Sequence, residues 1–321
     1  MGHDNVPIPP ALAGLARSRR RAWIAAGAAL ALGGAALARA GSVSASDGVA
    51  STLERIARTG QIVIGHRQSE SPFSYVADGQ VLGYSIDLCR RVVDGLRRDL
   101  GLRQLDIRFV PVTPATRFVL VGNGSIDLEC GVTTNTAVRR KLAEFSYPTF
   151  VTLTRFVSLR RHQWRSLGDL AGRSVVSTTG SINVEQLHSL SRAGNLNISV
   201  ILSRDYKDAF ELVTSGRAAA FVADEILLAG LIAASDDPQR YALSAAALSQ
   251  PEPYGLLMPP GDLAFKQAVN RQLRGVFDSG EIGAIYRKWF ESPIPPSGGR
   301  MDLPMSAELR ELFRDPREYE E

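Results

Sequence analysis

From residue 51 onward, apolar and polar positions switch repeatedly between a helical period and a strand period. Leu53–Arg58 has the spacing of a short helix, and Gln61–Gly65 is an apolar run that predicts a buried strand ending in a loop. Ile86, Cys89, Val93 and Leu96 recur at helical spacing within 83–96, and residues 107–112 alternate as a strand does. Thr113-Pro114 combines an N-cap residue with proline at the first helical position, predicting a helix to about Val121. Residues 127–131 predict a short strand, followed by a polar loop and a helix around 137–143.

A second series follows the long β-rich run 149–159. Strands are expected at 174–177, 198–202 and 219–222, and helices at 184–191, 206–215 and 226–234. Residues 254–258 predict a further strand, and two terminal helices follow at about 263–277 and 282–290, separated by Ser279-Gly280. Alternating βα units imply α/β architecture with ligand sites at the carboxyl ends of strands. The chain returns near Pro251–Tyr254 for its last helices, so the second series reads as inserted into the first. The expected organisation is an export signal and flexible start over 1–45, a discontinuous first lobe of 46–151 plus 253–321, and an inserted second lobe of 152–252. Extended crossings near Phe150–Thr154 and Gln250–Tyr254 would form the hinge of a body that closes around a small ligand.

A length of 321 residues suits two domains, and 45% hydrophobic with 22% charged residues is a globular profile. Two cysteines, Cys89 and Cys130, are too few for a disulfide scaffold or a structural zinc site, and four histidines leave little for a metal centre. No metal or cofactor is expected. The net charge of +4 invites a nucleic-acid reading, but five of the 37 basic residues and one of the 33 acidic ones fall within residues 1–40. The remainder carries 32 of each sign, so its net charge is zero and a polyanion-binding surface is not expected.

Residues 1–45 have their own logic. Arg19-Arg20-Arg21 precedes an uncharged Ala/Leu/Gly run to Ala38, and Ala38-Arg39-Ala40 and Val43-Ser44-Ala45 fit cleavage sites. A membrane anchor needs about 20 apolar residues, so a cleaved export signal is favoured over one. With no cysteine directly after the run to carry lipid, a periplasm is the expected compartment. In that oxidising space Cys89 and Cys130 are either paired or two buried thiols.

Candidate chemistry sits at strand ends. Arg67, just past the first strand, either reaches a cleft, where its planar fork suits a carboxylate, or is solvated. Cys130 to Arg139 places a glycine, a hydroxyl-rich turn containing Thr134, and a helix start with Arg139 in its first turn. That pattern suits an anion as well as simple capping, and Arg117, early in its own helix, can face the same crevice. Residues 177–181, ending in Ser181, offer a second anion contact. Asp224, at a strand end before a helix, either caps that helix or receives an ammonium group. Three arginines and one carboxylate facing a closable cleft match a small zwitterion with an extra negative charge.

Gly65-His66-Arg67, Pro72-Phe73-Ser74-Tyr75, Gly83 to Asp87, Glu129 to Arg139, Ser215-Gly216-Arg217 with Phe221 and Asp224, and Lys288-Trp289-Phe290 with Pro293 to Pro296 occur in order. Together they resemble the periplasmic solute-binding proteins of polar amino-acid ABC importers, in particular the glutamate/aspartate-binding branch. The resemblance spans about Ser51 to Phe313 and implies the type II periplasmic-binding-protein fold. It also implies a monomer that captures L-glutamate, L-aspartate or a related acid and delivers it to the membrane subunits of an ABC permease. Arg139 and Thr134 would hold the α-carboxylate, Asp224 the α-ammonium, and Arg67 and Arg117 the distal carboxylate. Pro114, Val132, Ile182 and Tyr206 replace, respectively, a serine, a serine, a threonine and a histidine of that family's site. Tyr206 can still donate a hydrogen bond in the distal pocket. A dehydratase-like enzyme on the same scaffold is the alternative, but no nucleophile, zincin or phosphate-loop motif is present, so no catalysis is expected. A sensor read by a receptor would use the same binding chemistry.

Overall fold

The computed structural model describes residues 51–319; the export signal expected over 1–45 lies outside the described residues. The elements of the first sheet open with α1 (Thr52–Thr59), β1 (Gln61–His66), β2 (Ser69–Glu70), β3 (Ser74–Ala77), β4 (Gln80–Leu82) and α2 (Tyr84–Asp99). They continue with β5 (Asp106–Pro111), α3 (Arg117–Gly122), β6 (Leu128–Thr134), β7 (Glu144–Phe145) and β8 (Phe150–Thr152). A second group comprises β9 (Thr154–Leu159), β10 (Ser174–Thr178), α4 (Ile182–Ala193), β11 (Ser199–Ser203), α5 (Tyr206–Thr214), β12 (Ala220–Asp224), α6 (Glu225–Ala233) and β13 (Tyr241–Leu243). The chain closes with β14 (Glu252–Met258), α7 (Leu263–Asp278), α8 (Glu281–Phe290) and α9 (Ala307–Arg314).

Two α/β lobes result, each built on its own sheet. The first sheet runs β5-β1-β6-β14-β7, with β8 also paired to β14; the second runs β11-β10-β12-β9-β13. β1 pairs parallel with β5 and β6, and β10 pairs parallel with β11 and β12. Their carboxyl ends, at His66 and Thr134 in one sheet and Thr178 and Asp224 in the other, are where an α/β sheet offers a ligand site. The β-rich run 149–159 divides between the sheets: β8 joins β14 in the first, and β9 joins β12 and β13 in the second.

Local rules account for most element boundaries. Ser51 and Glu54 form a capping box on α1, and Gly60 ends that helix at φ +64°. α2 buries Ile86, Cys89, Val93 and Leu96, the stripe its spacing predicts. Phe73 meets Tyr84, Phe150, Tyr254 and Phe290 edge-on at centroid distances of 5.0–5.6 Å, packing β8 and β14 onto α2 and α8. Trp289 is buried, and its indole N–H donates to Asp87 Oδ2 at 2.8 Å. Cys89 and Cys130 are joined, with Cα atoms 6.3 Å apart, which pins α2 beneath β6. For a sequence separation of 41 residues, chain entropy alone gives such a link about 4 kcal/mol.

Three expected elements differ. β6 extends to Thr134, through residues expected in a loop, because β14 pairs with its end at Thr133 and Thr134. α3 starts at Arg117 rather than Pro114, since Thr113 and Thr116 exchange side-chain-to-backbone bonds of 3.0 and 3.2 Å that replace a first helical turn. The helix expected around 137–143 is only a 3₁₀ turn, Arg139–Lys141. The short strands β2 to β4 and β13, and the helix α9, add to the expected set.

Candidate functional site

Arg67 leaves the end of β1 fully buried, 2% exposed, so it is not a solvated loop residue. Its Nε donates to Glu129 Oε1 at 2.9 Å and lies 3.4 Å from Glu70 Oε2. Glu129 is held from its other oxygen by the Thr133 hydroxyl at 2.9 Å. Gly131 makes room for the pair: a Cβ there would fall 2.1 Å from Glu129 Oε1. Burial works against the charge on Arg67, but Glu70 and Glu129 outweigh it and its pKa is raised. The guanidinium still has an unpartnered buried edge, Nη1.

Arg117 is equally buried, at 2% exposed, but has no carboxylate partner. Its Nη1 donates to the Pro114 carbonyl and, at 3.4 Å, to the Gly180 carbonyl of the second lobe, while Nε has no partner. Its ring neighbour is Phe118, 4.7 Å below the guanidinium. Burial, then the nearby Arg67 and Arg139, hold its pKa well below the usual guanidinium range. Guanidinium starts so high that it stays protonated, and the more distant Glu129 and Glu70 only partly offset burial and the two like charges. Arg139 is similar: it donates to the Thr134 carbonyl at 3.1 Å and to the same Gly180 carbonyl at 3.4 Å, and burial lowers its pKa.

Gly180 is where the lobes meet across the site. At φ +80°, its Cβ would lie 2.7 Å from the Ala115 backbone, so only glycine lets the β10–α4 turn reach the arginines. Beside it, the Ser181 hydroxyl is buried, caps nothing and has no partner.

Asp224 ends β12 and precedes α6, yet its side chain makes no capping bond. It accepts instead from Asn183 Nδ2 at 2.8 Å and from the Tyr254 hydroxyl. Burial raises its pKa, tempered by those two donors. Tyr206, at the start of α5, is buried and packs edge-on against Phe221 at 5.7 Å. Its phenol is pushed well above the usual range by burial, then by Asp224 and Glu70.

All seven residues singled out from the sequence, Arg67, Arg117, Thr134, Arg139, Ser181, Tyr206 and Asp224, line one narrow cavity together with Pro114, Val132, Ile182 and Asn183. Sequence reasoning missed the carboxylates behind it, Glu70 and Glu129, and the amide of Asn183. With them, three arginines face three acidic side chains rather than one. A charged residue inside the otherwise apolar run 128–132 was the available signal for Glu129, since unpaired charge is rarely buried. The dipole expected at Arg139 is also reduced, because a three-residue turn has little to offer. His66 faces away from any such role: its Nδ1 engages the Arg67 carbonyl at 2.8 Å and its ring packs on Phe109. A larger cavity of about 930 Å³ opens elsewhere, among Phe150, Ile226, Tyr286, Met301 and Leu309, but its lining is mostly apolar. Among the described residues no cluster of side chains suited to a metal occurs, and no helix is long and apolar enough to cross a membrane.

Two α/β lobes with charged strand ends turned into a shared cavity define a ligand-binding protein of the bilobal type, and the chain belongs to the bacterial extracellular solute-binding proteins, family 3, whose pattern matches residues 62–292. It is 38% identical over 264 residues to the L-glutamate/L-aspartate-binding protein of Pseudomonas aeruginosa, covering 82% of this chain and 87% of that one. It is 36% identical over 263 residues to the glutamate/aspartate import solute-binding protein of Escherichia coli, with the same coverage of 82% and 87%. In three dimensions it resembles an ancestral amino acid-binding protein described as a precursor of cyclohexadienyl dehydratase. The TM-score is 0.63 at 24% identity, covering 75% of this chain and 99% of that structure, a likeness of fold.

Proposed function

We propose that this protein binds an acidic amino acid, L-glutamate or L-aspartate, between its lobes and delivers it to the membrane subunits of an ABC importer. The observation that carries the reading is the convergence of the buried guanidiniums of Arg67 and Arg117, the half-buried one of Arg139, and Asp224 on one cavity, in a chain 36–38% identical to proteins named for glutamate and aspartate. Arg139 and the Thr134 hydroxyl hold the α-carboxylate. Asp224, already aimed by Asn183 and Tyr254, accepts the α-ammonium. The free Nη1 edge of Arg67 and the under-partnered Arg117 take the distal carboxylate, with Tyr206 and Ser181 as neutral donors.

Binding follows the opening and closing of a first lobe of 46–151 plus 253–321 against a second of 152–252, about the crossings near 150–154 and 250–254. On closure, ligand oxygens replace the Gly180 carbonyl as acceptors for Arg117 and Arg139. The process involves no covalent chemistry and no cofactor. The protein acts as a monomer in the periplasm after removal of a signal peptide near residues 40–45.

Titration calorimetry of the mature protein with glutamate, aspartate, glutamine and asparagine tests this. The expected result is one ligand per chain with the acids bound more tightly than their amides at pH 6; absence of heat with all four overturns it.

A further inference from the structure

Behind the cavity lies a carboxylate that the roles above do not use. Glu70 belongs to β2, is 3% exposed, and directs Oε2 toward Arg67 Nε at 3.4 Å, without a hydrogen bond of its own. Arg67 Nε already donates to Glu129, so Glu70 is the second carboxylate beside one guanidinium edge. The charged groups that bear on it are Arg67 and Arg117, which favour its anion, and Glu129 and Asp224, which oppose it; the Tyr206 phenol stays neutral.

We propose that Glu70 is a specificity-determining residue that sets the charge the distal end of the site accepts. A ligand with a side-chain carboxylate enters together with a proton that settles on Glu70, whereas a ligand with a neutral side chain enters without one. The inference rests on the amino-acid-binding reading above. Its logic is a count of charges. Arg67, Arg117 and Arg139 against Glu129, Asp224 and an ionised Glu70 sum to zero, which suits a ligand of no net charge. An acidic amino acid brings a net charge of −1, and burying that without a counter-charge is costly. Protonating Glu70 restores neutrality at the loss of its 3.4 Å ion pair with Arg67, whose Nε keeps Glu129, and of no hydrogen bond, since Oε2 has none.

Burial holds the Glu70 pKa up at about 7, with Arg67 pulling it down. A ligand carboxylate on Arg67 and Arg117 raises it further. The sign follows from linkage. Below pH 7 the proton is already in place and acidic ligands bind independently of pH. Above it, each must recruit a proton, so affinity falls about tenfold per pH unit until the pKa of the complex is reached.

The test is calorimetry of the full mature protein at pH 6 and pH 8, in buffers of different ionisation enthalpy, with glutamate and glutamine. Wild type should bind glutamate roughly tenfold more weakly at pH 8, taking up close to one proton, while glutamine binding stays flat. Glu70→Gln should bind glutamate equally at both pH values with no proton uptake. Burial pushes the Glu252 carboxyl up to about 7 as well, so Glu252→Gln is the control and should keep the wild-type dependence. Glutamate binding without pH dependence or proton uptake in wild type, or a dependence that survives Glu70→Gln, overturns the role of Glu70 alone. Should Glu70→Gln fail to fold, the contrast between glutamate and glutamine measured in Glu252→Gln decides: its loss there overturns the role of Glu70, and its persistence supports it. Failure of both ligands to bind at either pH overturns the binding reading, and this inference with it.

Discussion

Arg67 and Arg117 are buried to the same extent on neighbouring elements of one lobe, yet their surroundings are opposite. Arg67 has two carboxylates at its Nε and is stabilised in its charged form. Arg117 has two carbonyls, the like charges of Arg67 and Arg139 nearby, and a pKa driven down by burial and by them. Burial alone therefore does not identify a ligand-binding arginine. What distinguishes the Arg117–Arg139 corner is charge that the fold leaves unmatched, while the Arg67 corner is largely balanced from within. One arginine supports the architecture with one edge left unpartnered; under the proposed function the other two are the ones that gain most from an anionic ligand.

The contrast can be broken most decisively at Arg67. Arg67→Met strands Glu129 and Glu70 in the interior, and chemical denaturation should show a loss of about 3–5 kcal/mol. A loss under 1 kcal/mol would mean that the balance is not structural. Next in size is the link beneath the same corner. Replacing Cys89 and Cys130 together by alanine should lower stability by about 2–4 kcal/mol, and an unchanged denaturation midpoint would show the link to be idle.

Arg117→Met should invert the Arg67 result. Unfolding free energy should hold or rise, because a buried repulsion is relieved, while affinity for an acidic ligand drops by about 2 kcal/mol or more. Instability in this variant would erase the distinction between the two corners. The smallest effect is expected at Gly180, where Gly180→Ala meets the Ala115 backbone and an unfavourable φ, for about 1–2 kcal/mol of binding. Calorimetry on that variant should show weaker binding with the ligand preference intact.

Most of this architecture could be read from residue pattern. Strand ends are marked where an apolar run meets polar residues, so Arg67, Thr134, Ser181 and Asp224 were legible as groups at the rims of sheets. Their convergence could be expected from α/β topology and from the family resemblance. Partners that arrive from afar were not legible. The pairing of β14 turned an expected loop into the end of β6, and Thr113 with Thr116 displaced the start of α3. Glu70 sits in the polar stretch Gln68-Ser69-Glu70-Ser71, which looks like any solvated turn. The fold brings β2 against Arg67 and α5, and Glu70 is buried there. Likewise, sequence left open whether Asp224 caps α6, and the positions of Asn183 and Tyr254 close that question.

The carbonyl of Gly180 has one more consequence. A peptide oxygen carries only a fraction of an electron, yet here it answers two full cations at 3.4 Å. Under the proposed site it stands in for the ligand when the lobes close without cargo, so the gain from closing on cargo rather than on nothing is the difference between a carboxylate and an amide dipole. Such an arrangement favours modest grip and ready unloading, which suits a carrier that must surrender what it catches.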